Sequence, residues 1–188
     1  HDPVNGGLGG APKFPRSLEF GLILHYYHLS RDREGLDKLG FTLEKMARGG
    51  IYDQLGGGFH RYSVDTAWIV PHFEKMLYDN AQLAVNYLEA FQLTGDPAFE
   101  RVARDTLAYL QRDMTHADGG FFSAEDADSE GHEGKFYCWT TTELERLLTR
   151  DEFNAAVRYF GLTPRGNFVD HSHPQPLPGQ NVLSVVDP

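Results

Sequence analysis

Titratable side chains are concentrated between residues 68 and 80, where the sequence runs WIVPHFEKMLYDN. His72 and Glu74 bring an imidazole and a carboxylate into one short segment, and both groups can transfer protons in enzymes. His60, in the connection just before this segment, is a further candidate. We therefore predict that His72, Glu74 and His60 are catalytic if the segment borders a pocket.

The same segment is predicted to begin a helix over about residues 72–93 that is apolar on most sides. Glu74 and Tyr78 would then share one face, and Lys75 would share another with Asp79. A structural role fits the pattern equally well. Glu74 would favour the helix dipole, and Lys75 could form an ion pair with Asp79.

A second group of acidic side chains follows at residues 125–130. Asp126, Asp128 and Glu130 match the start of a calcium-binding loop, but the twelfth position of that loop would be Tyr137 instead of a bidentate acid. The match therefore fails, and we expect neither a metal ion nor a cofactor. Asp126 is instead predicted to be a catalytic acid, and Asp128 a substrate-binding residue.

Aromatic side chains surround both segments. Flat rings beside carboxylates suit a sugar, whose CH faces stack on the rings while its hydroxyl groups form hydrogen bonds. Most of these rings are expected in the core, and two or three in a cleft. The residues predicted to bind substrate are Asp53, Tyr62, Trp68, Tyr78, Asp79, Asp128 and Trp139.

Two kinds of sugar chemistry are compatible with these residues. Epimerisation or isomerisation needs a base and an acid on opposite faces of the sugar, drawn from His60, His72, Glu74 and residues outside this chain. Hydrolysis needs two carboxylates about 5 to 10 Å apart. The candidates for that pair are Glu74, Asp53, Asp79 and Asp126.

The elements that must position these residues are helices of two alternating kinds. Segments 17–31 and 72–93 are apolar around most of their circumference, which is typical of inner helices. Segments 36–48 and 97–114 carry one apolar stripe, which is typical of outer helices. The order inner, outer, inner, outer predicts an all-α fold that is part of an (α/α) toroid. An ordinary orthogonal bundle is the alternative.

Two shorter helices are predicted over residues 140–148 and up to residue 161. Side chains that can cap helix N-termini occur at the start of four helices. They are Ser17, Asp96, Thr140 and Asp151.

Each outer helix is followed by a double glycine, Gly49-Gly50 and Gly119-Gly120, which indicates an internal repeat. Long connections begin there, and sites are often built on such loops. The first connection contains a predicted short strand over residues 58–64. The second is predicted to form a β-hairpin in which residues 121–123 and 135–139 flank the acidic turn.

Composition limits the classes of function. The 188 residues are 40% hydrophobic, which indicates one globular domain. A net charge of −10 disfavours binding to nucleic acid or to anionic membranes, and no apolar stretch approaches a membrane span. The single cysteine, Cys138, excludes an internal disulfide and a CxxC pair. Without a signal-peptide pattern, we expect a cytoplasmic protein.

Three blocks of sequence carry a specific resemblance. They are GGLGGAPKFP at 6–15, GGIYDQLGGGFHRYS at 49–63 with PHFEKMLYDNA at 71–81, and SAEDADS at 123–129 followed by EGKFY and Trp139. Together they closely resemble the spermatogenesis-associated protein 20 family, in which a thioredoxin-like domain precedes a six-hairpin, glycosidase-like (α/α) barrel. The resemblance implies that residues 1–188 form the first part of that barrel. The thioredoxin-like domain and the later hairpins would lie outside this chain.

The barrel of that family is similar to N-acylglucosamine 2-epimerases, cellobiose epimerases and glycoside hydrolases, so the resemblance favours sugar chemistry and a small saccharide as ligand. In such barrels the loops that enter the inner helices build the mouth, here residues 49–71 and 119–139. The alternative is a non-catalytic scaffold or binding module attached to a thioredoxin-like redox domain. In either case we expect the rest of the barrel, or a second copy of the chain, to cover the inner helices.

Overall fold

A computed structural model describes residues 1–171 and 173–187 of the chain. This part of the chain contains six α-helices in two hairpins and a short third pair. They are α1 Ser17–Ser30, α2 Arg33–Arg48, α3 Leu77–Thr94, α4 Pro97–Arg112, α5 Thr141–Leu147 and α6 Arg150–Phe160. The predicted all-α class and the predicted alternation of helices are confirmed.

The main core lies between two layers of helices. α1 contacts α3, α2 contacts α4, and each hairpin joins one helix of each layer. α2 and α4 bury their single apolar stripes, through Leu39 and Leu43 on α2 and Phe99 and Val102 on α4. The hydroxyl of Tyr87 on α3 crosses the core and donates to the Leu43 carbonyl at 2.7 Å. α1 and α3 therefore form the inner layer, and α2 and α4 the outer one.

Short antiparallel strand pairs organise the long connections. Strand β1 (Tyr62–Ser63) pairs with β2 (Pro71–His72), and β5 (Asp128–Ser129) pairs with β6 (His132–Glu133). The third pair joins the two connections, because β3 (Lys75–Met76) pairs with β4 (Ala124–Glu125). The loops that precede α3 and follow α4 are thus tied together beside the start of α3.

The predicted helix start at His72 is wrong, because His72 lies on β2 and Lys75 on β3, and α3 begins only at Leu77. Backbone pairing overrides the helical pattern here: the Arg61 N–H donates to the Glu74 carbonyl at 2.8 Å. Glu74 and Tyr78 therefore do not share a helix face, and neither do Lys75 and Asp79.

Several predicted boundaries also change. The N-cap of α1 is Arg16 instead of Ser17, and Thr149 instead of Asp151 caps α6. The predicted caps Asp96 and Thr140 are confirmed. The predicted pairing across the acidic turn is wrong, since β4 pairs with β3 and the turn contains its own hairpin, β5–β6.

Candidate functional site

The imidazole of His72 lies between two carboxylates that come from different connections. Its Nδ1 is 2.7 Å from Oε1 of Glu133, and its Nε2 is 3.9 Å from Oε2 of Glu74. An ionised carboxylate accepts hydrogen bonds and does not donate them, so the short contact assigns the ring proton to Nδ1. When the ring carries only that proton, Nε2 is free to act as a base. The side chains of His72, Glu74 and Glu133 are 27%, 26% and 21% exposed, so a ligand can reach them.

Glu133 is held in place by the β5–β6 hairpin, where it pairs with Asp128. Its Oε1 also accepts a hydrogen bond from the backbone N–H of Phe73 at 3.3 Å. The acidic turn thus supplies an acid to the site, but the acid is Glu133. Asp126 is exposed, and its carboxylate accepts from the backbone N–H of Asp128 at 2.9 Å, which shapes the turn. Glu133 was not among the site residues predicted from the sequence, although it lies in the EGKFY block that contributes to the family resemblance.

Arg61 joins Glu74 to the start of α3. Its Nη1 is 2.8 Å from Oε2 of Glu74, and the charge of its guanidinium lies near the Tyr78 side chain. Tyr78 itself is 48% exposed. The cation therefore fixes Glu74 beside His72 and leaves a phenol at the edge of the site.

Asp79 is an acid whose pKa is raised by its surroundings. Burial raises its pKa to about 6, the Arg61 charge opposes that rise, and the Glu74 charge adds to it. Its buried Oδ2 has no hydrogen-bond partner within the described part of the chain. A carboxyl group with a pKa near neutrality can both give and accept a proton at physiological pH.

Aromatic rings extend from His72 to the surface. The Tyr62 ring stacks on the His72 ring with centroids 5.0 Å apart, and the Phe14 and Tyr62 ring centroids are 4.8 Å apart. Phe14 is 41% exposed. The predicted residues Tyr62, His72, Glu74, Tyr78 and Asp79 are therefore brought into one region, which we call the His72 cluster together with Arg61 and Glu133.

Three other predicted residues line a separate cleft of 410 Å³: Asp53, His60 and Trp139. Burial and the nearby Lys75 charge lower the pKa of His60 to about 3, so this histidine is neutral. Asp53 is paired with Lys75, whose Nζ lies 2.9 Å from Oδ2 of Asp53. The expected pairing of Lys75 with Asp79 is therefore wrong, and the sequence-predicted residues fall into two groups.

Trp68 belongs to neither group. It is fully buried, and its indole N–H donates to the Asn5 carbonyl at 2.9 Å. The Lys13 ammonium lies 5.0 Å from the centroid of its ring. The side chain therefore anchors the first connection to the N-terminal segment and has no exposed face on which a sugar could stack, which corrects its predicted role.

Comparison with known proteins identifies relatives along nearly the whole chain. Spermatogenesis-associated protein 20 from Homo sapiens is 43% identical over 205 residues, which cover 98% of this chain and 26% of the human protein. The chain thus spans about a quarter of the length of the curated relatives it matches. No protein-family model matches the chain.

Solved structures share the fold at low sequence identity. A sugar epimerase from a ruminal bacterium superposes with a TM-score of 0.60 at 17% identity, covering 75% of this chain and 41% of that protein. Cellobiose 2-epimerase from Spirochaeta thermophila gives a TM-score of 0.58 at 19% identity, covering 66% of this chain and 34% of the enzyme. At these identities the likeness shows the fold alone. The chain is thus a homologue of spermatogenesis-associated protein 20 that matches about a quarter of that protein's length, and it folds as a partial (α/α) toroid.

Proposed function

We propose that this chain contributes the His72 cluster to a sugar-converting site, and that the site catalyses epimerisation or isomerisation of a reducing saccharide. The observation that carries the proposal is the contact between Nδ1 of His72 and Oε1 of Glu133. It fixes the imidazole with Nε2 as the base, in the way that a carboxylate orients the histidine of a catalytic triad.

The chemistry needs a proton to leave a carbon next to a carbonyl. In an open-chain sugar, Nε2 of His72 takes the proton from C2, and the electron pair moves to the carbonyl oxygen as an enediolate forms. Return of a proton to the opposite face of C2, as the carbonyl at C1 forms again, gives the epimer. Return of a proton to C1, with the proton of the C2 hydroxyl group passing to O1 as the carbonyl forms at C2, gives the isomer. Asp79, with a pKa of about 6, is the acid that we assign to proton delivery.

Hydrolysis is less favoured by the same geometry. Of the four carboxylates considered for a hydrolytic pair, Glu74 is bound to Arg61 and Asp53 to Lys75. Both already serve as ion-pair partners. Asp126 is exposed and bonded within its own turn. The fold likeness to sugar epimerases supports the same preference by analogy.

The test is hydrogen exchange at C2. The full-length protein is incubated in D₂O with reducing mono- and disaccharides, and deuterium incorporation is followed by ¹H NMR. We expect exchange in the native protein, loss of exchange in His72→Gln and strong reduction in Glu133→Gln. Glu130→Gln is the matched control, because Glu130 lies in the same hairpin turn and is 76% exposed.

A non-catalytic module attached to a thioredoxin-like domain is the second candidate. The apolar side chains exposed on α1, with Leu29 85% exposed, favour it because they offer a surface for another protein or domain. Absence of exchange with every sugar, together with an unchanged ¹H spectrum of each sugar, would support this module and overturn the proposed reaction.

A further inference from the structure

The cleft of 410 Å³ beside the first connection is separate from the His72 cluster and has the features of a ligand site. The turn over residues 52–56 forms part of its wall, and Phe136, Tyr137 and Trp139 line it too. Val182 and Leu183 line it as well. Its volume falls within the range of about 300–1,000 Å³ that is usual for small-molecule pockets.

The wall formed by the 52–56 turn is fixed before any ligand binds. Nε2 of Gln54 donates to the carbonyls of Ala47 and Gly49 at 3.0 and 2.9 Å. The carboxylate of Asp53 accepts from the backbone N–H groups of Leu55 and Gly56 at 3.0 and 2.8 Å. A wall held by this many bonds loses little conformational freedom on binding, which favours affinity.

The charges next to the cleft are balanced within the protein. Lys75 is 1% exposed, bonds to Asp53, and lies 4.3 and 4.8 Å from the ring centroids of Tyr109 and Tyr137. Burial opposes ionisation of Asp53, yet the Lys75 ammonium and the Gly56 N–H hold the pKa of that carboxyl below its ordinary value. The charge of Lys75 is thus neutralised by Asp53, and the described residues that line the cleft include no arginine or lysine.

One polar group that lines the cleft is the neutral imidazole of His60. Its Nδ1 lies 2.9 Å from the Phe73 carbonyl, which only accepts, so Nδ1 carries the proton. Nε2 is left as a hydrogen-bond acceptor. Because the pKa of His60 is about 3, this acceptor persists across the physiological pH range. A ligand that offers hydroxyl donors matches such a site.

We propose that this cleft binds a neutral pyranose ring, as a saccharide-binding site distinct from the proton-transfer site. The ring stacks on Trp139 and on Phe136, which is 72% exposed at the rim. Its hydroxyl groups donate to the acceptors beside the 52–56 turn. A carboxylate-bearing sugar is excluded, because the described residues that line the cleft offer it no free cation and Asp53 repels it. The site needs no reaction at His72.

The test uses methyl β-glucopyranoside and methyl β-cellobioside, whose locked rings cannot open and therefore cannot enter the proton-transfer reaction. Binding to the full-length protein is measured by isothermal titration calorimetry. We expect both probes to bind. We expect glucuronate to bind at least tenfold more weakly, and Phe136→Ser and Trp139→Phe to weaken binding at least fivefold.

Phe121→Ser is the matched control, because Phe121 is 59% exposed on the same connection and does not line the cleft. It should bind both glycosides as the native protein does, and so should His72→Gln. The cleft is not a saccharide site if Phe136→Ser and Trp139→Phe both bind with native affinity, or if glucuronate binds as tightly as the glycosides. Failure of the exchange reaction leaves these results unaffected, so the two proposals are tested separately.

Discussion

Oε1 of Glu133 lies 2.7 Å from Nδ1 of His72, although the two residues are 61 positions apart in the chain. The contact joins the connection before α3 to the hairpin in the connection after α4. It also determines which nitrogen of His72 is free. The first prediction follows from that assignment.

In the native protein, His72 is expected to be the tautomer that carries its proton on Nδ1 and donates it in a hydrogen bond to the Glu133 carboxylate. Long-range ¹H–¹⁵N correlation spectra distinguish the two tautomers. In Glu133→Gln the amide can donate as well as accept, so the Nε2-protonated tautomer should become populated. Turnover should then fall by a factor of about 100 or more, by analogy with loss of the orienting acid in a triad. An Nε2-protonated His72 in the native protein would contradict the assignment.

The second prediction concerns the pH dependence that Asp79 imposes on stability. Its folded-state pKa of about 6 is raised above the ordinary value by burial. The folded state therefore holds a proton that the unfolded state releases, and stability falls as pH rises from about 4 to about 6. Asp79→Asn should remove that loss. Its free energy of unfolding should exceed that of the native protein at pH 7.5, and the difference should disappear below pH about 4.

Urea denaturation of Asp79→Asn at several pH values measures this difference. Asp113→Asn is a suitable control, because its carboxylate is paired with Arg112 near the surface at the C-terminal end of α4. The assignment of a raised pKa to Asp79 is wrong if Asp79→Asn is destabilised equally at every pH. If Asp79→Asn is more stable and no longer exchanges the C2 proton of a sugar, the stability that Asp79 costs the native protein is linked to its function.

The third prediction concerns His60, whose pKa burial and the Lys75 charge lower to about 3. In the unfolded chain His60 binds a proton near pH 6.5, whereas in the folded chain it stays neutral. His60 therefore lowers the free energy of unfolding as pH falls from about 6.5 to about 3. His60→Gln can keep the donor to the Phe73 carbonyl and removes the titration. Its stability should decline less steeply over that range. Parallel decline in the two proteins would show that His60 does not titrate in this way.

Much of the helical framework could be predicted from the sequence because each helix is specified locally. The capping box of Thr140 with Glu143 and the Asp96-Pro97 start of α4 are examples, and both occur in the structure. The start of α3 could not be predicted in this way. His72 and Lys75 are paired with residues 62 and 125, and such pairing depends on contacts that no local pattern encodes.

The sequence predicted which segment of the chain forms the candidate site better than it predicted the individual residues of the site. The segment from His72 to Asp79 was identified by its residue types, and it does contain the clustered acids and the imidazole. Glu133 was missed because its partner is remote in sequence. Trp68 was wrongly predicted to bind substrate, because residue type alone does not distinguish an indole in a cleft from one that is fully buried.

The fourth prediction distinguishes the two double glycines, which look alike in sequence. A Cβ on Gly50 would lie 2.0 Å from the Ile69 carbonyl oxygen and 2.5 Å from Val182, whereas a Cβ on Gly120 would have no atom of the described residues within 4 Å. Gly50→Ala should therefore destabilise the fold by about 3 kcal/mol, as overpacking against backbone does. Gly120→Ala should change stability by less than about 0.5 kcal/mol. Thermal unfolding of both variants measures the contrast, and equal melting temperatures would refute it.

The fifth prediction concerns the apolar face that α1 and α3 leave uncovered. Leu18, Leu22 and Leu29 on α1 are 75%, 69% and 85% exposed, and Leu88 on α3 is 42% exposed. Monomeric proteins seldom expose contiguous apolar patches beyond a few hundred Å². Covering 500 Å² would contribute roughly 12 kcal/mol at about 25 cal/mol per Å². We therefore expect the 188-residue chain, studied by itself, to associate through this face.

Size-exclusion chromatography with light scattering, run over a range of concentrations, measures that association. The variant with Leu18, Leu22 and Leu29 all changed to Glu should shift toward the monomer and bind less of a hydrophobic dye. Leu147→Glu is the control, because Leu147 is 67% exposed on α5. It should associate as the native chain does, since an equally exposed leucine outside the α1 face adds nothing to the interface. A native chain that stays monomeric at every concentration and binds no dye would show that this face needs no partner.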